Sequence, residues 1–184
     1  MDIGTKIKMV RTDHNLTLDQ LAEMCEVSKG FLSKIENNKV APSVARLINI
    51  ARAIKVNVSV LIDDDGTKDE EFIKKKDRNK YIISHTENGY DYVPFTPNII
   101  PKQMHPFLFI AKKGEVIEHH LSHEGEEFIY ILHGTLEFQI DDTIYIMEEG
   151  DSLYFQSLKK HGIMPISEKV VYIDVFSQDS NNIQ

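Results

Sequence analysis

The sequence has one cysteine, Cys25, no tryptophan, and no apolar run of the ~18 residues that a membrane-crossing helix needs. A lone cysteine excludes a disulfide framework within the chain and suits a reducing compartment. The opening "MDIGTKIKMV" lacks the apolar core of a secretory leader, so the cytoplasm is the expected location and no membrane partner is expected. Nor is there the strong basic surplus of a typical nucleic-acid binder, since the net charge is −8. That total conceals an asymmetry. Residues 1–62 hold nine Lys/Arg against six Asp/Glu, and residues 63–184 hold twelve against twenty-three. Only the first part has a charge balance compatible with facing phosphates.

What is present is enough for two small domains: 184 residues, 41% hydrophobic and 27% charged. Apolar residues recur at spacings of three and four through Ile3, Ile7, Val10; Leu18, Leu21, Ala22; Leu32, Ile35; and Leu47, Ile50, Ala51, Ile54. This pattern predicts helices near 2–13, 17–24, 28–36 and 43–54, with a short one near 58–62. Thr17 followed three residues on by Gln20 reads as a capping box, Ser28 as the next N-cap, and Pro42-Ser43 as another helix start. The charge run "DDDGTKDEEFIKKKDRNK", Asp63 to Lys80, reads as a solvated linker that transmits motion between domains. The expected division is a helical domain over 1–64, a linker over 65–80 and a second domain over 81–184.

From Tyr81 the period changes to two. "LEFQI" (Leu136–Ile140), the turn Asp141-Asp142 and "TIYIM" read as a hairpin. Short strands punctuated by Gly, Asp and Pro, closing with "VVYIDVF", indicate an all-β barrel or sandwich. Behind Glu127, strand parity sends Ile129 and Ile131 to the carboxylate's face and Phe128, Tyr130 and Leu132 to the other. Both faces are apolar, so this strand is expected to be central, with one face available for packing on another subunit.

"LTLDQLAEMCEVSKGFLSKIEN", Leu16 to Asn37, followed by "PSVARLINIARAI", resembles the helix-turn-helix of phage-repressor-like (XRE) transcriptional regulators over about residues 4–62. The resemblance implies sequence-specific binding of an operator in double-stranded DNA, with the helix from Ser28 to about Asn37 entering the major groove by its N-terminal end. Ser28, Lys29, Gly30, Ser33 and Lys34 would be exposed there. Lys29 and Gly30 fall where base contacts are made, and Lys29 suits guanine acceptors. Thr17, Asn37 and Lys39 would lie near phosphates. Leu18 stands where relatives often carry a polar reader.

"GEVIEHHLSHEGEEFIYILHG" (Gly114–Gly134) and "GDSLYFQSLKKHG" (Gly150–Gly162) resemble the two cupin motifs, which implies a jelly-roll β-barrel. The family's metal site takes two histidines two residues apart, a glutamate, and a histidine from the second motif. Residues i and i+2 of a strand share a face about 6–7 Å apart, near enough for two imidazoles to reach one ion. The matching positions here are His123, Glu127 and His161, and the first histidine's place holds Leu121. His120 has the wrong parity. His119 has the right parity but lies about 13 Å along the strand from His123. His133 reads as a strand-end residue, and His14, His85 and His105 stand alone.

Two imidazoles and a carboxylate suit a divalent ion such as Fe, Zn, Ni or Mn. The resemblance implies an effector pocket of Leu121, His123, Glu127, Ile129 and His161 in a homodimeric, non-enzymatic regulator. The alternative is a helix-turn-helix–cupin non-haem Fe(II) oxygenase, to which hydroxypropylphosphonate epoxidases belong, using the same His-Glu-His triad.

Overall fold

The molecule is known as a computed structural model that describes residues 2–63, 69–83, 85–99 and 102–177. Residues 65–68 of the expected linker lie outside that set. The helical domain consists of α1 (Ile3–Asp13), α2 (Leu18–Met24), α3 (Lys29–Glu36), α4 (Val44–Ala53) and α5 (Ser59–Ile62). Each lies within a residue or two of its expected bounds, because the capping signals sit where they were read. Thr17 accepts from Gln20 N at 3.2 Å while its own N–H donates to Gln20 Oε1 at 2.8 Å. Ser28 and Ser43 cap α3 and α4 through Phe31 N and Arg46 N.

Ile7, Leu21, Leu32, Leu47, Ile50 and Leu61 are fully buried. Each contributes about 1.5–3 kcal/mol of transfer free energy. An ion pair absent from the sequence reading sits beside this core. Arg11 grips Glu36 in bidentate fashion, at 2.6 and 2.9 Å, and donates to Leu16 O at 2.7 Å. It ties α1 to the end of α3 and to the α1–α2 turn.

A 3₁₀ turn, Lys75–Tyr81, leads into eight strands: β1 (Asp91–Pro94), β2 (Met104–Lys112), β3 (Glu126–His133), β4 (Leu136–Ile140), β5 (Thr143–Met147), β6 (Ser152–Gln156), β7 (His161–Pro165) and β8 (Lys169–Ser177). They form two antiparallel sheets, ordered β1-β2-β8-β3-β6 and β5-β4-β7. The expected hairpin pairs Leu136 with Met147 and Ile140 with Thr143. Strand β3 is central, between β6 and β8, with Glu127, Ile129 and Ile131 inside and Phe128, Tyr130 and Leu132 about 40% exposed outside. Among the described residues, no helix is long and apolar enough to cross a membrane.

The first residue of the charge run is packed into the fold. Asp63 is 2% exposed and pairs with Lys102 at 2.8 Å. Burial lifts its carboxyl to about 6 despite that cation. The domains also meet directly. Ala41 bridges Thr86, Glu87 N donates to Ala41 O at 2.9 Å, and the Tyr92 hydroxyl donates to Pro42 O at 3.3 Å.

Candidate functional site

Three side chains from separate parts of the barrel converge. Glu127 stands on the inner face of β3, His161 opens β7, and His123 lies on the segment before β3. That segment is held in place by its backbone. Leu121 and His161 exchange hydrogen bonds at 3.0 and 2.9 Å, and His123 N donates to Ser157 O at 2.9 Å. His123 and Glu127 are each 2% exposed and His161 is 7% exposed. His123 Nε2 lies 2.9 Å and His161 Nε2 3.2 Å from Glu127 Oε1.

The rings are oriented from behind. His123 Nδ1 meets Glu124 O at 3.0 Å, and His161 Nδ1 meets Lys159 O at 2.8 Å. A carbonyl only accepts, so each Nδ1 carries a hydrogen and each neutral ring turns a bare Nε2 lone pair toward Glu127. With both Nδ1 hydrogens spent on carbonyls, His123 Nε2 and Glu127 Oε1 are left unsatisfied among the described residues unless a proton is shared between ring and carboxylate. One ligand atom from each residue lies within 4.8 Å of the others. Two converging lone pairs and a carboxylate oxygen repel one another unless a cation or a proton lies between them. Backbone-fixed imidazoles of this kind are what metal ligands require, so these residues fit a divalent cation.

The protonation pattern has the same origin. Burial opposes the His161 imidazolium, but close contact with the Glu127 carboxylate outweighs it and holds His161 above its ordinary value of 6.5. Burial likewise opposes the Glu127 carboxylate, and the two histidines outweigh it, leaving Glu127 well below the usual range. A fourth group was missed from the sequence. Asp174 on β8 is 5% exposed, lines the same cavity beside Glu127, and has an Oδ1 without a partner among the described residues. Burial and the Glu127 charge hold its carboxyl well above the usual range. The signal was present in "VVYIDVF", where Val170, Tyr172, Asp174 and Phe176 alternate inward and one of the four is charged.

The cavity measures about 40 Å³ and is walled by Leu121, Glu127, His161, Gly162 and Asp174 with Tyr90, Phe109, Tyr172 and Phe176. It accommodates a few water-sized groups and falls far short of the ~300–1,000 Å³ of pockets for drug-sized ligands. Gly162 is required by the close packing here, because a Cβ would stand 1.9 Å from His119 O. Of the expected pocket residues, Leu121, Glu127 and His161 line this space. His123 touches Glu127 from its edge, while Ile129 is fully buried in the core beside it.

The remaining histidines separate by environment. His120 faces away and meets Gln139 Oε1 at 3.1 Å. His119 lines the cavity against Tyr90 without joining the triad. His133 is exposed at its strand end, near Glu149. His105 departs from the bland reading: it is 2% exposed, and burial together with Lys102 holds it down to about 3.

In the helical domain, Ser28, Lys29 and Gly30 are exposed at the start of α3, Lys34, Asn37 and Lys39 along and beyond it, and Ser33 is half-buried. Nothing lies within 4 Å of a Cβ built on Gly30, so that position faces open space. Lys29 Nζ pairs with Asp19 Oδ2 at 2.7 Å, and Asn37 Nδ2 donates to Ser33 O at 2.7 Å. The Thr17 hydroxyl is engaged in the α2 cap.

The helix-turn-helix family profile matches residues 7–61 and the cupin domain profile matches residues 107–176. The immunity repressor of Bacillus phage phi105 is 34% identical over 71 residues, which are 39% of this chain and 49% of the repressor. The chain thus spans about half the length of that relative. The transcriptional regulator SinR of Bacillus subtilis is 35% identical over 79 residues, 39% of this chain and 71% of SinR. The Escherichia coli regulator SutR aligns over both domains, 24% identical across 160 residues, 86% of this chain and 84% of SutR. Among solved structures, an HTH_3 family transcriptional regulator from Vibrio cholerae superposes with TM-score 0.72 and 21% identity, covering 96% of this chain and 95% of the other.

Proposed function

Because the chain belongs to the helix-turn-helix transcriptional regulators and carries a cupin domain behind the helical one, we propose that it is a cytoplasmic, homodimeric DNA-binding regulator whose barrel responds to a divalent cation. A small ligand would complete the cation's coordination. The observation that carries this reading is the convergence of two backbone-fixed Nε2 lone pairs on the buried Glu127 carboxylate. His123, Glu127 and His161 would hold the ion, and when bound it supplies a fixed double charge where the apo site has at most a proton. The 40 Å³ cavity limits any organic effector to a few heavy atoms in this conformation.

The helical domain supplies the DNA contacts of the proposal. The N-terminus of α3 presents Ser28, Lys29 and Gly30 to base edges, with Ser33 and Lys34 a turn further along. Lys29 exchanges Asp19 for a guanine or a phosphate, and Thr17, Asn37 and Lys39 position the helix on the backbone. Two such heads read half-sites about 34 Å apart. Selection of duplexes from a random pool by the full-length chain should enrich an inverted repeat, and Mn(II) or Zn(II) should change affinity for it at least fivefold relative to chelated protein. Loss of enrichment removes the DNA reading, and equal affinity with and without the cation removes the sensing one.

The same donor set is that of a non-haem iron oxygenase. What favours regulation is the helix-turn-helix domain and the similarity to the regulator SutR over both domains. Iron-dependent oxygen uptake stimulated by an added substrate would reverse that preference.

A further inference from the structure

The polar residues of α4 and its cap recur every three positions, and four in succession meet the barrel. Ser43 Oγ and Arg46 Nε both donate to Glu87 Oε1, at 3.0 and 3.2 Å. Asn49 Nδ2 donates to Ser122 O at 3.1 Å, and Arg52 Nη1 to Glu124 Oε1 at 3.2 Å. Residues three apart on a helix are neighbours, so these form one continuous stripe. Its far end straddles His123, because the two residues it holds are those on either side. The His123 ring is itself bonded to Glu124 O, which makes imidazole, Glu124 and Arg52 one connected unit.

On the same side of α4, one turn before Asn49, the helix reaches the cavity directly. Ala45 lines it together with Tyr90, His119 and Leu121. Outside the His123 segment, a cleft of about 240 Å³ opens between Cys25, Asn49 and Arg52 on one side and Ser122 and Leu158 on the other, leaving that segment room to shift. In the other direction, the Arg46 guanidinium lies 5.7 Å from the centre of the Phe31 ring, on α3.

We propose that α4 is both a wall of the cation cavity and the contact through which the DNA-binding domain senses its contents. The proposal rests on the reading of His123, Glu127 and His161 as a cation site. A cation drawn between the three ligand atoms fixes the His123 ring and with it Glu124. Asn49 and Arg52 pass that position to α4, and Arg46 carries it to Phe31 on the recognition helix. The exposed Arg52–Glu124 pair contributes little alone. The Asn49 bond to a backbone carbonyl and the two donors on the largely buried Glu87 carboxylate carry more. Coupling is reciprocal, so the placement of α4 that DNA favours changes cation affinity by the same factor. This route does not need the charged segment after α5.

Hydrogen exchange on the full-length chain with and without Zn(II) tests the proposal. In the wild type, Zn(II) should slow exchange by at least threefold in residues 119–127 and also in 29–36 and 44–53. In Asn49→Ala/Arg52→Ala, which removes both links from the His123 segment to α4, the response at 119–127 should persist and the helical response should vanish. Ala45→Leu should weaken Zn(II) at least tenfold, with Ala45→Ser close to wild type. A wild-type response confined to the barrel, or a helical response retained in the double variant, overturns the coupling while leaving the cation site standing. No response at 119–127 overturns both.

Discussion

Replacing Glu127 by Gln keeps the shape of the site and removes the charge that organises it. In the wild type the carboxylate holds His161 above 6.5 against the effect of burial. With glutamine, burial is opposed only by the Lys159 carbonyl and the Asp141 charge, so His161 should titrate lower than in the wild type. Removing one partner of a buried ion pair ordinarily costs about 3–5 kcal/mol, because the other charge is left behind. Here the cost is capped, since the imidazolium releases its proton and the glutamine amide can donate to the bare Nε2. The sign follows from linkage. A raised folded value contributes stability that is fully present below 6.5 and is lost as pH rises through the folded value. The stability gap between wild type and variant should therefore be widest below pH 6.5 and narrow on the alkaline side.

Cation affinity should change more than stability. Disturbing a group that merely supports a metal ligand costs about 10–100-fold, so deleting a charged ligand should cost at least ~100-fold, about 2.7 kcal/mol. In the wild type, Zn(II) must displace a proton from His161, so apparent affinity should rise about tenfold per pH unit until it levels at the raised value. In the variant it should level at a lower pH than in the wild type. NMR titration of the His161 ring and competitive Zn(II) titration across pH measure both effects. An unchanged His161 titration would show that Glu127 does not hold that proton, and affinity within tenfold of wild type would remove Glu127 from the ligands.

Other perturbations probe the rest of the molecule. Lys29→Ala should weaken binding to a selected operator more than to random duplex, by about 1–3 kcal/mol on the specific site; equal loss on both, in parallel competition assays, would reduce Lys29 to a phosphate contact. His105→Leu should flatten the acid side of the stability profile. The depressed folded value of about 3 gives the wild type stability that is present above 6.5 and lost as pH falls, about 2 kcal/mol between pH 7 and 5, which denaturant melts at the two pH values will resolve. Gly162→Ala drives a Cβ to 1.9 Å from His119 O and should lower the melting temperature and Zn(II) affinity together in calorimetry. Phe128→Glu with Tyr130→Glu places charge on the exposed outer face of β3 and should convert a homodimer to monomer in sedimentation equilibrium, while an unchanged mass would move the dimer contact elsewhere.

The helical domain was legible almost residue by residue, because its signals are local. A cap such as Thr17 with Gln20 and an apolar spacing of three and four act within a turn or two. The buried Arg11–Glu36 pair was not, since nothing within a turn of Arg11 announces a partner 25 positions away. In the barrel, parity placed Glu127, Ile129 and Ile131 inside and His120 outside, because side-chain alternation is a local property of a strand. Parity could not supply the third dimension. It did not show that Asp174, on a strand adjacent to β3 but nearly fifty residues away, faces the Glu127 carboxylate, nor that His105 is buried beside Lys102. The apolar spacing of α4 was read as a core face, and nothing local marked its polar residues as barrel contacts, because their partners Glu87, Ser122 and Glu124 lie at 41 to 73 positions' separation.

Leu121 changes meaning once its neighbours are known. In sequence it is a lost histidine, a defect in a four-ligand pattern. In the fold its side chain lines the same small cavity as Ala45 of α4, and its backbone is locked to His161 by paired hydrogen bonds. A histidine at this position would add a fourth protein ligand, filling a tetrahedral zinc site and leaving an octahedral ion only two open positions. Three ligands leave positions open, and a leucine beside them keeps water and competing donors from filling the apolar wall that borders the helical domain. The substitution that weakens the case for a fully coordinated metal thus strengthens the case for a sensor, because a cation with open positions can register what else enters a cavity walled partly by the DNA-binding domain.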